Sequence, residues 1–221
     1  MDLSQRALTV YQKLIDFYGF PEWQTTSQPI DELVSTILSQ NTNDTNRDRA
    51  YMALRNAFST WEAVRDAPED YFIQTIRPAG LANQKGPRIQ AVLREITQQR
   101  GSLDISFLSE LPDEEVYSWL TKFKGVGPKT ASIVMLFSLG KPAFPVDTHI
   151  YRVSGRIGLR PLEMDVEQTH RHLADLFAPE TYVPAHLNLI RLGREICGAR
   201  KPECKICPLR LDCDFALNKL L

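Results

Sequence analysis

Apolar residues in this chain recur at three- and four-residue spacing from one end to the other, and no period-two run stands between turn residues. Leu3, Ala7, Val10, Leu14 and Phe17 fall on one face of a first helix. Ile30, Leu33, Val34, Ile37 and Leu38 mark a second, opened by Pro29, and Tyr51, Leu54 and Phe58 a third. Ile89, Val92, Leu93 and Ile96 form another after a turn at Gly80. Val116, Leu120 and Phe123 lead into a glycine-rich turn; Ala131, Val134, Met135 and Leu136 leave it and stop at Gly140-Lys141-Pro142. Later helices are expected over 148–157, 165–177 and 184–197. A period near 3.6 turns one helix face to a core, whereas a half-buried strand alternates at every second residue, so the fold is expected to be all-α.

A chain of 221 residues can bury a sizeable core as one large domain or two small ones. No apolar run reaches the length of a membrane span, and Met1-Asp2-Leu3-Ser4-Gln5-Arg6 lacks the charged-then-apolar order of a signal peptide. A cytoplasmic protein without a membrane partner follows, expected to be a monomer. The net charge of −1 argues against a nucleic-acid binder, but its distribution argues the other way. Residues 1–120 carry 11 Lys and Arg against 17 Asp and Glu, and residues 121–221 carry 15 against 10. Lys122, Lys124, Lys129, Lys141, Arg152, Arg156 and Arg160 stand in a stretch whose single acid is Asp147. Such a stretch can supply the local field that phosphates require.

All the cysteines lie in the last 25 residues: Cys197, Cys204, Cys207 and Cys213, set as C-x6-C-x2-C-x5-C. A disulfide pair is the weakest reading, because nothing points to an oxidising compartment. Zinc remains open, although structural zinc sites usually present two close knuckles or one knuckle with a histidine pair. One C-x2-C flanked by single cysteines at longer reach suits a bulkier group, and four thiolates around an iron–sulfur cluster is the favoured reading.

Upstream, Phe123-Lys124-Gly125-Val126-Gly127-Pro128-Lys129-Thr130-Ala131 joins two helices through a tight Gly-x-Gly turn. Glycines there permit positive φ, and uncovered amides beside a helix N-terminus form a pocket for a phosphate oxygen. After one more helix comes Pro145-Val146-Asp147-Thr148-His149, where Asp147 can cap the helix that follows.

These three motifs, in this order and separation, resemble the endonuclease III family of helix–hairpin–helix base-excision DNA glycosylases, over nearly the whole chain. The resemblance implies two helical lobes: a six-helix barrel with the helix–hairpin–helix over 29–141, and a cluster-bearing lobe from 1–28 and 142–221, with the active site in the cleft between them. It implies a [4Fe–4S] cofactor on the four cysteines, damaged double-stranded DNA as partner, and a nucleoid-associated location. The activity implied is that of a bifunctional DNA N-glycosylase and abasic-site lyase for oxidised pyrimidines, with Lys129 as nucleophile and Asp147 as the stabilising carboxylate. Lys124, Gly125, Val126 and Gly127 would grip a phosphate. Asn41 and Leu81 would probe the duplex, and Lys85, Arg200, Lys201 and Lys205 would contact DNA. Gln40, Asp44 and His149 are candidate pocket residues, with Asp44-Thr45 read equally as a helix cap. Two positions depart from the family: Lys124 stands where proline is usual, and Asn41 where glutamine is frequent. Asn41 is one methylene shorter, which weakens the expected filling of the vacated space. A MutY-type adenine glycosylase, the runner-up, lacks the lysine and usually carries a further C-terminal domain, whereas Lys129 is present here and such a domain is not expected. A mismatch or alkylation glycosylase and a non-catalytic DNA-binding module are the remaining alternatives.

Overall fold

The computed structural model describes residues 2–23 and 28–218, and among them no strand occurs. In chain order the helices are α1 (Leu3–Tyr18), α2 (Pro29–Ser39), α3 (Asp44–Ala57), α4 (Trp61–Asp66), α5 (Glu69–Thr75) and α6 (Ala82–Arg100). They continue with α7 (Asp113–Thr121), α8 (Pro128–Phe137), α9 (Thr148–Arg156), α10 (Val166–Leu176), α11 (Tyr182–Glu195) and α12 (Asp214–Leu217). None is long and apolar enough to cross a membrane. The chain divides into two compact units, Thr26–Gly140 and Met1–Thr25 with Lys141–Leu221.

The internal unit holds α2 to α8. α2 packs on α3 and α8, while α4 and α5 pack on α6. Leu33, Ile37, Leu54, Phe72, Ile89, Leu93 and Val134 are fully buried in its core, each such side chain contributing about 1.5–3 kcal/mol relative to exposure. The short helices α4 and α5 have no counterpart in the apolar periodicity, because fewer than two turns cannot repeat a face. α4 is instead opened by Thr60, whose hydroxyl accepts from the Ala63 amide at 3.1 Å and satisfies one of the amides a helix start leaves bare.

The terminal unit brings α1 together with α9 to α12; α11 packs on both α9 and α1. Ala7, Val10 and Leu14 present the buried face of α1. Two ion pairs then latch this helix to either side of Cys213: Lys13 with Asp212, and Arg6 with Asp214 at 2.9 Å. The Arg6 guanidinium also donates to the carbonyls of Ile157 (3.3 Å) and Gly158 (3.2 Å). Gly158 has φ of +73°, and a Cβ there would lie 1.9 Å from an Asp214 oxygen, so only glycine fits the latch.

Candidate functional site

Lys129 is the second residue of α8, directly after Pro128, and is half-buried. Proline is suited to this first helical position because its missing N–H would have no acceptor there. The amides of the first turn have no intrahelical partner, so they and the positive end of the helix dipole favour an anion. Gly125 turns the chain at φ +91°. Val126 corrects the expectation that its amide faces a phosphate: its N–H donates to the Phe123 carbonyl at 2.9 Å and its side chain is buried. That bond closes the turn and uses the Val126 amide, so of the turn's amides it is those of the two glycines that stay available beside the start of α8. Lys124 is exposed beside them.

Asp147 caps α9, its carboxylate accepting from the Ile150 amide at 2.8 Å. The segment before it is anchored by two buried histidines. His170 Nδ1 lies 3.1 Å from the Phe144 carbonyl and His186 Nδ1 lies 3.0 Å from the Pro145 carbonyl, while Phe144 stacks on Phe177. His149 faces Arg152, with Nδ1 3.1 Å from a guanidinium nitrogen. Its Cβ lies where a side chain on Gly193 would collide.

The basic stretch is divided between the two units. In the terminal unit, Arg152 donates to the carbonyls of Cys197 (3.0 Å) and Gly193 (2.8 Å). Arg156 donates to the carbonyls of Gly198 and Ala199, both at 2.8 Å, and Arg160 is buried over the Tyr151 ring while donating to Tyr151 and Pro161 carbonyls. Backbone carbonyls at helix and loop ends need donors, and three arginines of the basic stretch serve as those donors. In the internal unit, Lys122 donates to Gln99 at 2.5 Å and lies over Trp119.

Arg152 and Arg156 thereby bind α9 to the cysteine loop. None of the four cysteines is in a disulfide, and they line one cavity with Ile157, Leu192, Ile196 and Phe215. Among the described residues no group of three His, Cys, Asp or Glu is placed to hold a single metal ion. The Cys197 sulfur accepts from Arg156 at 3.3 Å, and the Cys213 thiol donates to the Arg156 carbonyl at 3.3 Å. Burial, with the three other thiols adding to it, pushes the Cys207 thiol up to about 11. Four thiolates here repel one another unless a positive group stands among them, and this donor set fits a cluster held by four thiolates. Arg200, Lys201 and Lys205 are exposed on the same loop.

The remaining candidates lie in the internal unit, in or beside the connections that lead into α3 and α6. Asn41 and Leu81 are the two non-glycine residues with positive φ among the described residues, at 52° and 50°, and both are exposed. Holding leucine in this left-handed region costs roughly 1–2 kcal/mol, the kind of local strain that persists where a side chain must point outward. Asp44 is not the cap of α3. Asn43 takes that role, accepting from the Asn46 amide at 2.8 Å, and Asp44 becomes the first helical residue, 3.8 Å from Arg47.

Lys85 is the clearest correction. Expected among the DNA contacts, it is 1% exposed, and its ammonium donates to the Leu38 carbonyl (2.7 Å) and the Ala79 carbonyl (2.8 Å). Burial first, and then Arg88, pull its pKa down from the ordinary 10.5 to about 8. The signal was available: Lys85 stands four residues before Ile89, at the start of the stripe continued by Val92 and Ile96, so helical geometry turns it inward. Arg88 had no such signal. It donates to the Gln40 side-chain oxygen at 2.9 Å, and Gln40 in turn donates to the Gly125 carbonyl at 3.0 Å.

Residues 34–179 match the HhH-GPD superfamily of base excision DNA repair proteins. A protein of Thermotoga maritima named endonuclease III is 33% identical over 197 residues, which cover 89% of this chain and 87% of that protein. A candidate DNA glycosylase of Arabidopsis thaliana is 36% identical over 190 residues; the match covers 81% of this chain but 64% of the longer plant protein. A solved structure of a trapped endonuclease III–DNA covalent intermediate superposes with a TM-score of 0.84 at 25% identity, covering all of both chains.

Proposed function

The chain belongs to the endonuclease III family of base-excision DNA glycosylases, and from that premise we propose that it is bifunctional, releasing oxidised pyrimidines from duplex DNA and then cutting the strand 3′ to the abasic site. The observation that carries this reading is Lys129 in the first turn of α8, immediately after the Gly125 turn.

Breaking the bond between the anomeric carbon and the base nitrogen develops positive charge on the sugar, so a carboxylate stabilises the transition state. Asp147 supplies it. The Lys129 amine attacks the anomeric carbon, the base departs with the bonding pair and takes up a proton, and the opened sugar remains as an imine on the lysine. The imine acidifies the neighbouring sugar hydrogen; its removal expels the 3′ phosphate, and water then frees the lysine. A damaged base leaves the stack more readily than an intact pair, which gives the first level of selection. The amides of Gly125 and Gly127 and of the first turn of α8 hold the backbone phosphate, with Lys124, Arg200, Lys201 and Lys205 adding charge. Leu81 wedges the stack and Asn41 enters the vacated space.

Cys197, Cys204, Cys207 and Cys213 would hold a [4Fe–4S] cluster. When bound it supplies a structural core and no step of base excision, which transfers no electrons. The partner is damaged duplex DNA, met by a monomer in the cytoplasm beside the nucleoid.

Borohydride reduction of the imine tests the reading. Wild type incubated with thymine-glycol duplex should become covalently attached to DNA, and Lys129→Gln should not, while its affinity for abasic-site DNA stays within about threefold because the turn amides are untouched. Adduct formation by Lys129→Gln at the wild-type rate would make another amine the nucleophile. Release of adenine opposite 8-oxoguanine without release of thymine glycol would overturn the substrate assignment alone.

A further inference from the structure

Helix α6 carries two cations about one turn apart, and each reaches out to the backbone or side chain at the end of α2, 47 and 48 residues earlier in sequence. Lys85 bridges the carbonyls of Leu38 and Ala79. The first lies three residues before Asn41, the second two residues before Leu81. Arg88 orients the Gln40 amide from its oxygen end, and the nitrogen end of the same amide donates to the Gly125 carbonyl in the hairpin turn. Arg88 also lies flat against Gly125: a Cβ there would stand 2.1 Å from Arg88 Cδ. The positive φ of Gly125 therefore serves the turn, and its missing side chain makes room for this arginine.

We propose that Arg88 and Gln40 are positioning residues that couple the hairpin turn to the loop bearing Asn41, so that gripping the phosphate and filling the vacated duplex space occur as one event, with Lys85 extending the brace to the loop bearing Leu81. The proposal rests on the DNA-binding roles assigned above to the turn, Asn41 and Leu81. Its physical content is geometric. The Gln40 amide has one orientation that satisfies both ends, because a carboxamide oxygen only accepts and its nitrogen only donates. If the hairpin moves relative to the loop, the Gln40–Gly125 bond is lost, and without Arg88 the amide is free to turn away. Asn41, the next residue, sits at positive φ and is placed by that same backbone. Arg88 and Gln40 are both partly buried, and their hydrogen bonds are to each other and to the Gly125 backbone, so they act on the loops that carry Asn41 and the turn.

A loop that only stabilised the fold would affect every DNA alike, whereas coupling to gap filling matters only where a complementary strand leaves a gap. The test uses the holoprotein and two probes: a duplex with one tetrahydrofuran abasic analogue, and the same oligonucleotide single-stranded, with affinities read by fluorescence anisotropy. Arg88→Met and Gln40→Ala should each weaken duplex binding by about ten- to a hundredfold, the range for deleting a hydrogen bond to a charged group. Single-strand binding should fall less than about threefold, and the double variant should be no worse than the weaker single, since both remove one brace. Arg88→Lys, which can still donate to Gln40, should recover part of the duplex preference. Equal weakening on both probes, no weakening on the duplex, or additive losses would overturn the proposal. Imine trapping by wild type reads the Lys129 chemistry separately, so its failure leaves this comparison standing.

Discussion

Replacing Lys85 by methionine should flatten the pH dependence of stability between neutral and mildly alkaline conditions. The side chain is 1% exposed, its two acceptors are neutral carbonyls, and the charge felt beside it is the like-signed Arg88. The folded protein therefore disfavours the ammonium, and the pKa falls from 10.5 to about 8. Because the folded value lies below the unfolded one, the cost is fully present below pH 8. It is relieved as pH rises toward 10.5, where the folded amine is neutral while the unfolded one still binds a proton. Between pH 7.0 and 9.5 the wild type should gain about 2 kcal/mol relative to Lys85→Met, at about 1.4 kcal/mol per unit over the part of the window where the two states differ in protonation. Tyrosines act in the opposite sense: burial, chiefly, raises Tyr18 and Tyr51 to about 12, so their stabilisation is lost as pH climbs above 10. They are common to both proteins and cancel in the difference. Urea unfolding followed by circular dichroism at the two pH values gives the four stabilities needed. A gap between wild type and variant that does not change with pH would refute the buried, depressed lysine.

Asp147→Asn keeps a capping oxygen for the Ile150 amide but loses the charge, so single-turnover base release should slow by about 10²–10³ with unchanged thermal stability. Gly125→Ala places a side chain at φ +91° and against Arg88; duplex affinity should fall at least about tenfold, and Gly127→Ala, whose Cβ meets nothing within 4 Å, should be milder. Protein prepared without air should contain about four iron and four sulfide per chain, and stoichiometric zinc without sulfide would remove the cluster assignment. Asn41→Gln adds the missing methylene, so excision should discriminate more sharply among opposite bases, measured as the ratio of single-turnover rates.

What could be read from the chain without coordinates follows from its local nature. Helical periodicity over ten or more residues places α1, α2, α6 and α11 because a buried face must repeat. The Gly125–Lys129 and Asp147–His149 motifs show their chemistry because turn, cap and reactive side chain are neighbours in sequence. Four cysteines in 25 residues announce a shared cavity for the same reason. Tertiary structure decided everything that depends on which distant backbone lies beside a side chain. Helical spacing turns Lys85 inward, but its acceptors, and any role for Arg88, appear only once the carbonyls of Leu38 and Ala79 and the amide of Gln40 are placed around them. Arg152, Arg156 and Arg160 read as part of a basic stretch able to supply a local field, and only the fold shows backbone carbonyls claiming them. The first helix joins the C-terminal third because Lys13 and Arg6 meet Asp212 and Asp214 across some 200 residues of sequence. A long cation takes its role from the acceptor it reaches, and that acceptor is chosen by the fold and not by the residues on either side of it.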